Sequence, residues 1–99
     1  MPGRFAKQPA ESYTIAVEFL GKLPSGVSLS SGTISAVRLD TGATDNSVLA
    51  STTATIVGTQ ARVRVQAGTG GIDYKLTFLC TLSNGDLLEE DVVMEVESL

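Results

Sequence analysis

The feature that most constrains the fold is an alternation of apolar and polar residues in the last third of the chain. Apolar side chains fill most even-numbered positions of two segments, residues 72 to 82 and residues 88 to 96. A repeat of two residues is typical of a β-strand with one buried face. Asn84-Gly85 lies between the segments, and this dipeptide favours a tight turn. The pattern therefore predicts an antiparallel hairpin.

The same pattern restricts how the two strands of this hairpin can pair. Directly opposed residues share one face of an antiparallel ladder, and the sum of their residue numbers is the same for every opposed pair. Because the apolar residues of both segments are even-numbered, they oppose each other only if this sum is even. A two-residue turn at Asn84-Gly85 gives an odd sum and places Phe78 opposite Asp91. We therefore predict either a three-residue loop with a left-handed Gly85 or a bulge near residues 86 to 88. The preferred register opposes Leu82 with Leu88, Phe78 with Val92, and Leu76 with Met94.

Shorter segments with strand character precede the hairpin, separated by clusters of Gly, Ser, Thr and Pro. They are residues 13 to 19, 32 to 41, 48 to 51, 53 to 57 and 61 to 67. In the second of these, Ile34 and Ala36 point inward together with either Val37 or Leu39, and a bulge after Ala36 would explain the change of phase. About seven short strands without helical periodicity favour a β-sandwich over a small barrel.

The N-terminal segment differs from the rest of the chain. Residues 1 to 11 contain Pro2 and Pro9 and show no periodicity, which predicts an extended arm with one short edge strand around residues 4 to 7. Residues 12 to 99 then form a single domain. A chain of 99 residues with 42% apolar residues can bury one core without disulfides or metal.

Charge and hydropathy exclude several classes of partner. A net charge of −4 argues against nucleic acid, because phosphate binding depends on clustered Lys and Arg. The apolar runs are too short to cross a bilayer, and residues 1 to 12 lack the apolar stretch of a secretion signal. The lone Cys80 fits a protein that folds in the cytoplasm, where disulfides are rare.

Residues suited to catalysis or metal binding are scarce. The chain has no His, which excludes Ser-His-Asp and Cys-His mechanisms and His-based metal sites. Cys80 lies in the inward phase of its strand, and Glu89, Asp91 and Glu95 stand in an outward row that does not converge on an ion. We therefore expect no enzyme activity, no metal site and no cofactor.

Four side chains in the outward phases of their strands are candidate contact residues. Leu79 and Val93 are apolar residues among Thr and carboxylates on one predicted sheet face. Arg62 and Arg64 alternate outward on the strand before the hairpin, where they could bind an acidic partner or a sugar. An ordinary solvated surface is the alternative interpretation for both pairs.

The order of four sequence segments resembles a known family. These segments are "KQPAE" (7 to 11) before a Tyr-bearing strand, "LPSG" (23 to 26), "RVRVQAGTGGIDYKLTF" (62 to 78) and "TLSNGDLLEEDVVMEV" (81 to 96). Together they resemble the phage fiber-tail adaptor proteins, small Ig-like structural proteins of tailed bacteriophages. Residues 40 to 55 depart from the family pattern.

The resemblance implies an all-β, Ig-like antiparallel β-sandwich of about seven strands without enzyme activity. It further implies a virion structural protein, made and assembled in the host cytoplasm and present in several copies, that links tail, connector or fiber components through other phage structural proteins. The arm becomes a candidate docking strand, with Arg4, Phe5 and Lys7 as contact residues. A capsid decoration or cement protein and a carbohydrate-binding adhesion module are the alternatives.

Overall fold

The chain folds into seven β-strands, the predicted number, but the strand predicted at residues 48 to 51 is wrong. Val48 ends a 3₁₀ turn there, and Leu49 makes a single bridge to Val65. The computed structural model describes residues 3 to 97, so the first two residues of the predicted arm and the last two of the predicted domain lie outside the described range. The strands are β1 (Gly3–Lys7), β2 (Tyr13–Glu18), β3 (Leu29–Arg38), β4 (Thr55–Val57), β5 (Gln60–Val65), β6 (Asp73–Leu82) and β7 (Leu87–Val96). Two 3₁₀ turns, Leu20–Lys22 and Asn46–Val48, are the helical elements of this part of the chain.

The strands form two sheets packed as an Ig-like β-sandwich, which confirms the predicted fold class. One sheet has the order β1-β7-β6-β3 and the other the order β2-β5-β4. One pairing differs from the antiparallel expectation, because β1 runs parallel to β7. After β1 the chain crosses directly to β2 in the opposite sheet, so β1 and β7 are not joined by a hairpin, which would require antiparallel pairing. Between residues 3 and 97 no helix has the length and apolar character needed to cross a membrane.

The core lies between the sheets and is built chiefly on the inward faces of β6 and β7. Tyr74, Leu76, Phe78 and Cys80 on β6 are all at most 1% exposed. The opposite sheet contributes further buried residues, chiefly Val17, Phe19, Ala61, Val63 and Val65. The even-numbered alternation read from the sequence is therefore the buried face of the hairpin.

The turn of this hairpin has three residues, Ser83 to Gly85, as the first of the two predicted alternatives requires. The Leu82 N–H donates to the Asp86 carbonyl over 2.8 Å, and Gly85 has a φ of 91°. Opposed residues have the predicted even sum, but the preferred register is wrong by two residues. Phe78 lies opposite Glu90 and Leu76 opposite Val92. A loop of three residues demands this register, since it pairs Leu82 with Asp86 directly.

The predicted change of phase in β3 is also wrong in its position. Ile34 and Ala36 are buried as expected, but Leu39 lies beyond the strand and is 49% exposed. The register irregularity falls at the start of the strand, between Leu29 and Ser31. The alternation therefore runs unbroken through Ala36, and no bulge follows it.

Residues 40 to 55, the segment that departs from the family pattern, cover the outer edge of β3. The Ile34 N–H donates to the Thr52 carbonyl and the Ala54 N–H to the Gly32 carbonyl, both over 2.9 Å. Farther along, the Ala36 N–H donates to the Asn46 side chain over 2.9 Å. This edge of the four-stranded sheet is therefore closed to further strands.

Gly68 allows close packing where the loop after β5 meets the end of β7. Its φ is +96°, and a Cβ there would lie 2.8 Å from Cγ2 of Val96. We predict that Gly68→Ala lowers the free energy of unfolding by about 2 to 4 kcal/mol, because it combines a strained backbone with a steric clash. Urea denaturation followed by circular dichroism measures the loss.

Gly58→Ala is the matched control for this prediction. Gly58 also has a positive φ, +61°, but an added Cβ meets nothing within 4 Å. Its loss should be about 1 to 2 kcal/mol, which is the backbone cost alone. Equal losses of unfolding free energy for the two variants would show that Val96 moves away from the added Cβ at no cost.

Candidate functional site

Chemistry based on a nucleophile or a metal finds no support in the described geometry. Cys80 is fully buried, and burial raises the pKa of its thiol. Residues 3 to 97 contain no cluster of three or more His, Cys, Asp or Glu side chains that could hold a metal ion. The residues that the sequence predicts as contacts are the candidate functional residues of this part of the molecule.

We predict that Cys80 in the folded protein reacts with iodoacetamide about a thousandfold more slowly than in urea, because alkylation requires an exposed thiolate. Intact-mass measurement at mildly alkaline pH follows the reaction. A folded-state rate close to the rate in urea would show that the site opens locally, and it would weaken the assignment of Cys80 to the core.

Lys7, predicted as a contact residue, lies inside the sandwich with 1% of its surface exposed. Its ammonium group donates to the carbonyls of Gln8, Pro9 and Ala67, with a distance of 3.2 Å to Pro9. Burial lowers the pKa of Lys7, while the carboxylate of Glu11 acts in the opposite direction. These contacts tie the β1–β2 connection to the loop after β5, so Lys7 acts within the fold.

We predict that Lys7→Met lowers the free energy of unfolding by about 2 kcal/mol, because it leaves these carbonyls without their donor. Lys75→Met is the matched control. Lys75 is half-buried on the outer face of β6, and its loss should cost no more than about 0.5 kcal/mol. Chemical denaturation of both variants compares the two losses, and similar values would contradict the structural role of Lys7.

Arg4 and Phe5, the other predicted contact residues of the arm, point to opposite faces of β1. Arg4 is exposed and forms ion pairs with Glu95 at 2.9 Å and with Asp73 at 3.5 Å. Phe5 is half-buried, with its ring 6.2 Å from the Tyr13 ring in an edge-to-face arrangement. β1 is thus the edge strand predicted near residues 4 to 7, and it belongs to the four-stranded sheet.

Leu79 and Val93 lie on the same outer sheet face, but the structure does not bring them together. Val93 is half-buried and flanked by Lys75 and Arg4 in register. Leu79 lies four residues along β6 from Lys75, roughly 13 Å away at strand spacing. A hydrogen-bonded pair, Thr77 and Asp91, separates them.

The apolar neighbour of Leu79 is Leu87, which sequence reasoning missed. Leu79 is opposed by Glu89 and Leu87 by Thr81, so the two leucines are diagonal neighbours on adjacent strands. They are 41% and 61% exposed, respectively. We call this pair the Leu79 patch. The sequence does contain a signal for this exposed leucine. Residues 87 and 88 are both Leu, and one of two successive strand residues must face outward.

Arg62 and Arg64 lie on the outer face of the three-stranded sheet, as predicted. Arg62 donates to the Gln60 side chain over 2.7 and 3.1 Å. Arg64 donates to the side chain and carbonyl of Ser12 over 3.0 and 3.2 Å. Each guanidinium group has five N–H donors, so both retain donors for an acidic partner.

A groove opens along the side of the sandwich between β1 and β2, which belong to different sheets. It has a volume of about 610 Å³, with apolar walls formed by Phe5, Ile15, Val17 and Val92. Polar lining residues are Arg4, Glu18 and Glu90. The groove is bounded at one end by a hydrogen bond from the Tyr13 hydroxyl to the Ala6 carbonyl, 3.1 Å long.

Near the other end of the groove, Lys22 from the 3₁₀ turn after β2 contacts the lining residue Glu90. Its ammonium group forms an ion pair with Glu90 and donates to the Glu89 carbonyl over 3.3 Å. This ion pair explains how Glu90 is accommodated in the inward phase of β7, with 15% of its side chain exposed. The groove therefore has a hydrogen bond at one end and an ion pair near the other.

The backbone of β2 presents unused hydrogen-bonding groups along this groove. The Phe19 N–H donates to the Thr59 carbonyl over 2.9 Å, so the odd-numbered residues of β2 face β5. The N–H and C=O groups of Thr14, Ala16 and Glu18 then point to the open edge. Within residues 3 to 97 none of these groups has a hydrogen-bond partner outside the ladder.

Comparison with protein families identifies the chain. The family model described as podophage GP4 fiber-tail adaptor protein gp77 matches residues 7 to 95. The chain belongs to this family. The match confirms the resemblance drawn from the sequence, and membership of the fiber-tail adaptor family supports a structural role in a phage tail. A comparison with curated proteins gives no match.

Besides Leu87, the groove is a part of the candidate site of this adaptor family member that the sequence did not predict. Its walls come from residues that each alternate correctly within their own strands, such as Ile15 on β2 and Val92 on β7. What creates the opening is the placement of β1 on β7 rather than on β2. Nothing in the local sequence of residues 3 to 7 specifies that choice.

Proposed function

We propose that the protein is a non-enzymatic virion component that attaches a fiber to the tail of a tailed phage by contacting other phage structural proteins. The observation that carries the proposal is the family match over residues 7 to 95. The described surface supports it, because two separate regions suit contact with other proteins. These regions are the Leu79 patch and the groove between β1 and β2.

A linking role requires two contacts on different parts of one small molecule. The Leu79 patch lies on the outer face of the four-stranded sheet, surrounded by short polar side chains such as Thr33 and Thr81. A flat face with a small exposed apolar centre and a polar rim suits a protein interface. The groove lies at the side of the sandwich and offers backbone groups instead.

Mass spectrometry of purified phage particles tests the proposal, with gold-labelled antibodies locating the protein by electron microscopy. We expect the protein in several copies per particle, at the tail where fibers attach. Label distributed over the capsid would favour a decoration protein instead. Detection in infected-cell lysate but never in purified particles would overturn a structural role.

We predict that Leu79→Asp reduces incorporation into particles by about tenfold or more, since a charge at the centre of an apolar contact is not compensated. The side chain faces outward, so the free energy of unfolding should change by no more than about 1 kcal/mol. Quantitative mass spectrometry of particles from phages carrying the variant measures incorporation.

Val57→Asp is the matched control for the Leu79 prediction. Val57 is 43% exposed, nearly the same as Leu79 at 41%, but it lies on β4 in the other sheet. Its incorporation should equal that of the wild type. An equal loss for both variants would point to a general effect of surface charge and would remove the Leu79 patch as a contact.

A further inference from the structure

We infer that the open edge of β2 is a docking site for one extended segment of another virion protein, which adds to the three-stranded sheet as a further strand. The inference rests on the proposed function, because it names the chemistry of one of the contacts that an adaptor makes. The site comprises the edge of β2 and the groove between β1 and β2.

Two of the other three sheet edges are covered or short, and the third, that of β1, has five residues, of which Ala6 already accepts a hydrogen bond from the Tyr13 hydroxyl. The edge of β3 is covered by backbone hydrogen bonds from residues 43 to 54. The edge strand β4 has three residues, too short to act as a template for a long partner. β2 has six residues, and its open edge contains neither Pro nor Lys, which often block edge pairing.

The hydrogen-bonding groups of this edge specify an extended peptide as the occupant. Thr14, Ala16 and Glu18 each direct one N–H and one C=O to the open side, with the two-residue spacing of a β-ladder. A peptide of about five or six residues paired with them would satisfy all of these groups. Neither a helix nor a small molecule presents matching groups at this repeat.

The groove supplies the side-chain half of this recognition. Every second side chain of an added strand would point into the space between the sheets, toward Ile15, Val92 and Phe5. These three side chains are half-buried in the protein alone. A docked strand would bury the rest of their apolar surface. Apolar side chains of small to medium size fit a groove of about 610 Å³.

Charge further restricts the sequence of the occupant. Glu18 and Glu90 line one end of the groove, and Glu90 is already paired with Lys22. Glu18 is exposed and accepts a hydrogen bond from the Thr59 hydroxyl, and it forms no ion pair with a described residue. In a chain of net charge −4, this favours a segment with Lys or Arg beside Glu18.

Amide hydrogen exchange of the full-length protein, free and assembled on particles, tests the inference. In the free protein the amides of Thr14, Ala16 and Glu18 should exchange about a hundredfold faster than those of Ile15 and Val17, which bond to β5. In the assembled particle these three amides should slow by about a hundredfold. Unchanged fast exchange of the three in the particle would overturn the inference.

Two variants complete the test, with binding of purified full-length protein to particles from a phage that lacks it as the readout. Ala16→Pro removes one N–H group at the open edge but no hydrogen bond between β2 and β5. Glu18→Lys reverses one charge and leaves every backbone group in place. Each should weaken binding by about tenfold. Glu97→Lys, at an exposed position outside the groove, makes the same charge change and should bind as the wild type.

The outcomes separate this inference from the proposed function. If the wild-type protein does not bind particles at all, the adaptor role fails. If the wild type, Ala16→Pro and Glu18→Lys bind equally, the adaptor role stands and the docking site is overturned. Benzoyl-phenylalanine at position 14 identifies the occupant by crosslinking. A crosslink to an extended segment of another virion protein supports the inference, and one to a second copy of this chain overturns it.

Discussion

The antiparallel ladder between β6 and β7 is the constraint on which the rest of the structure depends. The three-residue turn ending at Gly85 fixes an even sum for every opposed pair, and so directs Tyr74, Phe78 and Met94 to one side. The hairpin has one further strand on each side. β3 pairs with β6, and β1 adds to β7 in parallel. Because β1 occupies the edge of β7, no strand of residues 3 to 97 covers the edge of β2.

Local periodicity was sufficient for the elements that bury one face. The alternation in β2, β5, β6 and β7 predicted which residues point inward, since a half-buried strand must repeat with a period of two. The even sum predicted either a three-residue turn or a bulge near residues 86 to 88, and the structure has the turn. The predicted register was wrong by two residues because it opposed Phe78 with the apolar Val92, whereas Phe78 lies opposite Glu90. Only the tertiary contact with Lys22 makes an inward carboxylate acceptable in the middle of β7.

The rest of the site depends on contacts that local sequence does not encode. Lys7 lies in a segment without periodicity, and its burial depends on three carbonyls, one of them at Ala67, far along the chain. Residues 48 to 51 were predicted as a strand, but much of the segment from 40 to 55 bonds to the edge of β3 through turns and single bridges. The groove likewise follows from the crossing of the chain between sheets, which is a property of the topology.

The two candidate surfaces differ in what holds a partner, and this difference has a consequence for the sequence. A contact at the Leu79 patch depends on side chains, so the identity of Leu79 and Leu87 sets its strength. A strand added to β2 is held mainly by backbone groups, which almost any residue supplies. The outward side chains at Thr14 and Ala16 are therefore free to vary, except for Pro. The walls at Ile15 and Val92 need only remain apolar and of similar size. A small adaptor built this way can join one partner by side-chain complementarity and another by the geometry of a sheet edge.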